Sequence, residues 1–339
     1  MFKRLKKVKR KALIMLILIL AFFIFILYLY NLDFGKNKEI QYGATFSHKY
    51  AKELGLDWQE AYVNVLDDLR IKKLRLMAYW DELEMAQDQY TYQELDWLLA
   101  MAEQRQVEVI LVIGRRQPRW PECHDPVWLD QFSTSEQQQA ELVMIKSAIK
   151  HFQDFDNIIA WQVDNEPFLR VFGICPEFDK DFYQEKIALV QSLDERPIII
   201  TESGELSIWA GAAKISPIIG TSVYRSTWNP VYGKFFYPLP PVFYVIKEKL
   251  VKMISPLEEV FVSELQLEPW SDRSIVSIPI AEQLQLMSIE KFKDNLVYTR
   301  KIGFDSIYLW GVEWWYYLKV NHGITDYWDT AKELIKENS

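Results

Sequence analysis

Along the chain, short apolar runs recur at intervals, and between them apolar residues return every three or four positions. Eight runs have strand character: 40–47, 73–80, 107–114, 158–165, 197–203, 218–224, 260–264 and 306–311. The intervening segments read as helices, most plainly "EQQQAELVMIKSAIKHF" from Glu136 and "IEKFKDNLVYTRKI" from Ile289. Asp57 with Glu60, and Thr91 with Glu94, have the spacing of a capping box and predict helix starts. Near-continuous apolar strands separated by helices predict a parallel sheet covered on both faces. Eight such units predict a closed (β/α)8 (TIM) barrel over residues 40–339, and no glycine-rich phosphate loop follows the first strand as a dinucleotide fold requires.

Ahead of the first strand the pattern changes. Seven basic residues, Lys3, Arg4, Lys6, Lys7, Lys9, Arg10 and Lys11, precede an uncharged apolar run over 12–30. As a helix that run would be about 28 Å long, close to a hydrocarbon core of roughly 30 Å. No small-residue cleavage site follows it, so the reading is an uncleaved signal anchor rather than a signal peptide. The basic residues keep 1–11 cytoplasmic, 31–39 is a linker, and the barrel lies on the outer side of the membrane.

Removing those seven charges from the formal net charge of −8 leaves −15 on the remainder, which disfavours nucleic acid as a partner. With only four His and two Cys, and no HxH, HExxH or CxxC spacing, the expected chemistry is free of metals and cofactors. Cys123 and Cys175 fall in the loops after the third and fourth strands, and outside the cytoplasm a disulfide between them is expected.

Two strand endings carry the candidate chemistry. The fourth run ends Asn165-Glu166-Pro167 and the seventh ends in Glu264. In a (β/α)8 barrel the C-terminal strand ends converge on one face, so both carboxylates reach the same mouth. Cleavage of a glycosidic bond uses such a pair, one carboxyl protonated to assist the departing oxygen and one ionised to attack the anomeric carbon or activate water. Mutual repulsion and unequal burial separate their pKa values. Asn165, beside the acid, is placed to bind a sugar 2-hydroxyl.

These endings resemble those of the retaining β-glycosidases of clan A, a (β/α)8 group that includes cellulases, β-mannanases and β-galactosidases. The resemblance implies that Glu166 is the acid/base and Glu264 the nucleophile. It also implies that Arg75 lies near the nucleophile, that Tyr224 hydrogen-bonds it, and that Trp310 stacks on the sugar. The substrate would be an oligosaccharide, polysaccharide or glycoconjugate. Where many of these enzymes carry histidine after the third strand, this chain has Gly114-Arg115-Arg116, and the two arginines are able to bind a carboxylate or sulfate.

Other readings stay open. Glu202, ending the fifth run, rivals Glu264, and Glu268 and Glu313 lie near mouth positions. Arg75 could neutralise buried acids, and Tyr224 and Trp310 could be core. The proline- and aromatic-rich segment from Asn229 could wall a subsite, touch the membrane or cap the barrel. A non-catalytic carbohydrate-binding barrel and a transglycosidase acting on cell-surface glycans are the rival functions.

Overall fold

The computed structural model describes residues 2–229 and 233–338. Its strands are β1 (Gln41–Thr45), β2 (Lys73–Met77), β3 (Glu108–Ile113), β4 (Ile158–Val163), β5 (Ile198–Glu202), β6 (Ile218–Val223), β7 (Ser226–Asn229), β8 (Gly233–Phe236), β9 (Glu259–Gln266) and β10 (Ser306–Trp310). The helices are α1 (Phe2–Asn31), α2 (His48–Glu53), α3 (Trp58–Asp67), α4 (Trp80–Leu83), α5 (Gln93–Glu103), α6 (Thr134–Phe152), α7 (Lys180–Leu193), α8 (Val242–Lys252), α9 (Ile280–Leu286), α10 (Ile289–Arg300), α11 (Val312–His322) and α12 (Asp326–Glu337). Eight strands close a parallel barrel in the order β1-β10-β9-β6-β5-β4-β3-β2, and each of the eight apolar runs supplies one of them.

Alternation along the strands divides the barrel into two environments. Low in its interior, Ile110, Ala160, Ile199, Phe261 and Tyr308 pack as an apolar plug. Towards the C-terminal ends, Arg75, Gln162, Thr201 and Glu264 are polar yet buried. The larger core lies between the strands and the outer helices.

The helix starts follow local capping chemistry. Asp57 accepts from the amides of Gln59 and Glu60 at the start of α3. Thr91 and Glu94 do not form the expected box, because α5 begins at Gln93 with Tyr92 at its cap and no side-chain cap bond. The reciprocal box occurs instead at α6, between Ser133 and Glu136.

Among the described residues one helix, α1, is long and apolar enough to cross a membrane. Its window Leu13–Asn31 has a mean hydropathy of 3.0 and is not buried against the barrel. The segment after it is strapped to the N-terminal face of the barrel. Phe34 N donates to the Lys301 carbonyl at 2.9 Å, and Lys38 Nζ reaches the Gly303 carbonyl at 2.6 Å and Asp305 at 2.9 Å. The segment from Asn229 is not a simple loop: β7 and β8 form an antiparallel hairpin, followed by α8. Pro230, Val231 and Tyr232 lie outside the described residues.

Candidate active site

The polar upper layer is organised around Arg75, which β2 points into the barrel with no solvent exposure. Its guanidinium donates three bonds of 2.7 Å, to Gln162 Oε1, Glu264 Oε1 and Asn165 Oδ1. The planar fork thereby fixes residues from β4, the β4 end and β9 at once. Tyr224, just beyond β6, donates to the other oxygen of Glu264 at 3.0 Å. Both oxygens of Glu264 are thus held by donors, one of them cationic.

Glu166 sits in a different setting. Ser222 Oγ donates to its Oε1 at 2.8 Å, and its own amide donates to Thr201 Oγ1 at 2.9 Å. Its backbone is left-handed, with φ of 43°, which turns the carboxyl inward from the strand end. Burial, and next the charge of Glu264, raise its pKa well above the ordinary carboxylate range, against the hydrogen bond from Ser222. A carboxyl pushed towards its protonated form and a donor-held carboxyl therefore share one polar layer.

Two further acids share this layer. Glu122 accepts from Asn165 Nδ2 at 3.1 Å and lies 3.6 Å from Arg116 Nε. Burial pushes its pKa up to about 8. Nothing in the strand pattern marks it, because it lies in the loop after β3. Its signal is only adjacency to Cys123, which is joined to Cys175 by a disulfide with Cα atoms 5.3 Å apart. Glu202 ends β5, but neither Arg75 nor Tyr224 reaches it. Burial lifts it to about 7, opposed by Ser207 and Lys247, and its Oε2 is buried without a partner.

Arg115 and Arg116 are engaged inside the protein. Arg115 donates from Nε and Nη2 to Asp125 at 2.6 and 2.5 Å. Arg116 donates to the Phe172 carbonyl at 2.8 Å and faces Glu122. Internal acids fill the place expected for an anionic substrate group. Gly114 is required before them: its φ is 103°, and a Cβ there would meet Asp164 Oδ1 at 2.4 Å. Asp164 in turn pairs with buried Lys186.

Trp310 reaches the mouth and donates to Glu268 at 2.7 Å. The guanidinium of Arg119 lies 4.1 Å from its ring centre and 3.8 Å from that of Tyr50, so a cation already stacks on the indole expected to carry a sugar. Arg119 also pairs with Glu268, and with Glu313 at 2.9 Å. Glu268 and Glu313 are thus partners of Arg119 rather than of the Glu166 and Glu264 pair. Among the described residues, His48, Glu82 and Glu94 place donor atoms within 4.8 Å of one another, but Lys52 Nζ bonds Glu94 at 2.5 Å and supplies the positive charge there.

The raised acids set a pH dependence. Glu122 has moved from 4.5 to about 8, and Glu202, Glu205 and Glu313 to about 7, all chiefly by burial. Each favours the fold while protonated, so its contribution is complete below its unfolded pKa and is lost as pH rises through the folded value. His124, lowered by burial from 6.5 to about 4, acts in the opposite sense below 6.5, and Lys247, lowered from 10.5 to about 8, does so only above about 8. Between pH 6.5 and 8 the melting midpoint therefore falls, and Glu122→Gln, neutral throughout, shrinks the fall. A midpoint that climbs across this window would show that these acids are ionised in the fold.

No protein-family model matches the chain, and no curated protein matches it. Solved structures do. An exo-β-1,4-mannosidase from Opitutaceae bacterium strain TAV5 superposes with a TM-score of 0.53 at 13% identity, covering 80% of this chain and 51% of that one. The chain thus spans about half the length of the mannosidase. A family 10 endo-β-1,4-xylanase from Gloeophyllum trabeum gives 0.53 at 12%, covering 83% and 86%. A family 42 β-galactosidase from G. stearothermophilus gives 0.56 at 10%, covering 88% and 56%. At these identities the likeness is one of fold: this chain has the (β/α)8 barrel that these glycoside hydrolases have.

Proposed function

We propose that the chain is a membrane-anchored retaining β-glycosidase in which Glu264 attacks the anomeric carbon and Glu166 first protonates the leaving oxygen, then activates water. The observation that carries this reading is the asymmetry between the two carboxyls. Arg75 and Tyr224 donate to the two oxygens of Glu264, whereas burial and the neighbouring charge raise the pKa of Glu166 and favour its protonated form. Asn165, held by Arg75 and Thr201, would bind the sugar beside them. The fold neighbours support the reading, but their names span mannosidase, xylanase and galactosidase, so the sugar must be identified by assay.

The test uses the full chain in detergent with a panel of aryl β-glycosides, following the first-formed reducing sugar by proton NMR. The β-anomer should appear first and the α-anomer only by mutarotation. Initial release of the α-anomer would reject the double displacement, and cleavage of no glycoside in the panel would count against the activity itself.

We also infer that residues 1–11 remain cytoplasmic and the barrel lies outside, from the basic cluster and the apolar helix that follows it. An epitope fused after Ser339 should be removed by protease added to intact cells. Protection of that epitope would reverse the orientation.

A further inference from the structure

The outer face of α8 carries an apolar stripe that no part of the described chain covers. Ile246, Leu250 and Met253 are 50%, 57% and 79% exposed, and Ile254 in the following turn is 65% exposed. The spacing of four and then three residues places the first three on one side of the helix. The opposite side, Tyr244 and Val251, is buried against the barrel. An aligned stripe of large exposed side chains differs from the scattered apolar residues any surface carries.

Its position identifies what covers it. The helix α1 ends beside this flank: Lys301 Nζ, after α10, lies 3.4 Å from the Tyr30 carbonyl. The ammonium of Lys249, on α8, lies 5.9 Å from the ring centre of Phe34 in the strap that follows α1. The apolar stripe therefore begins where the apolar helix stops. Lys249 and Lys252 flank it, with Lys252 paired to Glu248 at 2.7 Å. Apolar side chains edged by lysines are the arrangement of a helix lying in the headgroup boundary of a bilayer. The hairpin of the same flank adds Phe235 and Phe236, both exposed.

We propose that α8 is a membrane-docking helix, its apolar stripe seated in the interface of the bilayer that α1 spans. The proposal rests on the reading of α1 as a membrane anchor, and its test separates the two. Both native cysteines are bonded to each other, so an added thiol can be labelled alone. The full chain would be reconstituted into phosphatidylcholine vesicles with a fluorophore at Leu20→Cys in α1, at Leu250→Cys or Met253→Cys on the α8 stripe, or at Val127→Cys in the loop after β3. Doxyl-labelled phosphatidylcholine is the quencher. Labels at 20, 250 and 253 should lose most of their emission, and the label at 127 should lose none. Quenching at 20 but not at 250 and 253 would overturn the docking helix and leave the anchor intact. No quenching at any position would overturn both. Escape from quenching by the label at 253, together with recovery of the unlabelled Leu250→Cys chain as a disulfide-linked dimer, would assign the stripe to a second copy and equally overturn the proposal.

Discussion

Glu264→Ala should lower kcat by on the order of 10^5, since the nucleophile of a covalent mechanism is removed outright. Azide should restore part of the rate by entering the vacated space on the face opposite the leaving group, giving an α-glycosyl azide from a β-glycoside. Glu166→Ala should behave differently. The first step survives for aryl groups that depart without a proton, and azide then attacks the glycosyl-enzyme to give a β-azide. The control is Glu202→Ala, because Glu202 also ends a strand at the mouth and has a raised pKa. An α-azide from that variant, with Glu264→Ala still active, would move the nucleophile to β5 and reduce Glu264 to a partner of Arg75.

Arg75 should be the second most sensitive position. Its three 2.7 Å bonds hold Glu264, Asn165 and Gln162 in one plane, with no solvent to replace them. Arg75→Lys keeps the charge but not the fork, so kcat should fall by about 10^2–10^3 while the fold persists. Arg75→Leu removes the charge and strands Glu264 without its cationic partner, which should cost about 3–5 kcal/mol of unfolding free energy. Denaturant melts and single-turnover rates measure the two effects separately. A leucine variant as stable and as fast as the parent would mean that Arg75 neither orients nor stabilises the site.

All eight barrel strands were legible as apolar runs because a parallel strand buried on both faces has no polar alternation to obscure it. The hairpin β7/β8 was not: strands of only four residues, Ser-Thr-Trp-Asn and Gly-Lys-Phe-Phe, are too short to show a period. The cap at Thr91 failed because Tyr92 intervenes before the helix begins. Glu166, Glu264, Asn165, Arg75 and Tyr224, which the structure brings together, could be placed from sequence because each stands in or at the end of a strand. Glu122 and Arg119 were not readable, because both lie in the loop after β3, where partners come from folding rather than from periodicity. The same loop explains why Arg115 looked free: Asp125, ten residues on, returns to meet it.

The proposed seating of α8 would set the reach of the site. In a (β/α)8 barrel the outer helices run back alongside the strands, so a barrel resting on one of them lies on its side, and its mouth opens along the membrane rather than away from it. The hairpin that follows β6 would then form the lower lip of the opening, close to the lipid, with Tyr224, which bonds Glu264, just inside it. A sugar chain would have to be presented near headgroup height to reach Glu264. With α8 so seated, encounter would become a search in two dimensions, which would favour glycans carried by lipids or by neighbouring membrane proteins over polymers drifting in the medium.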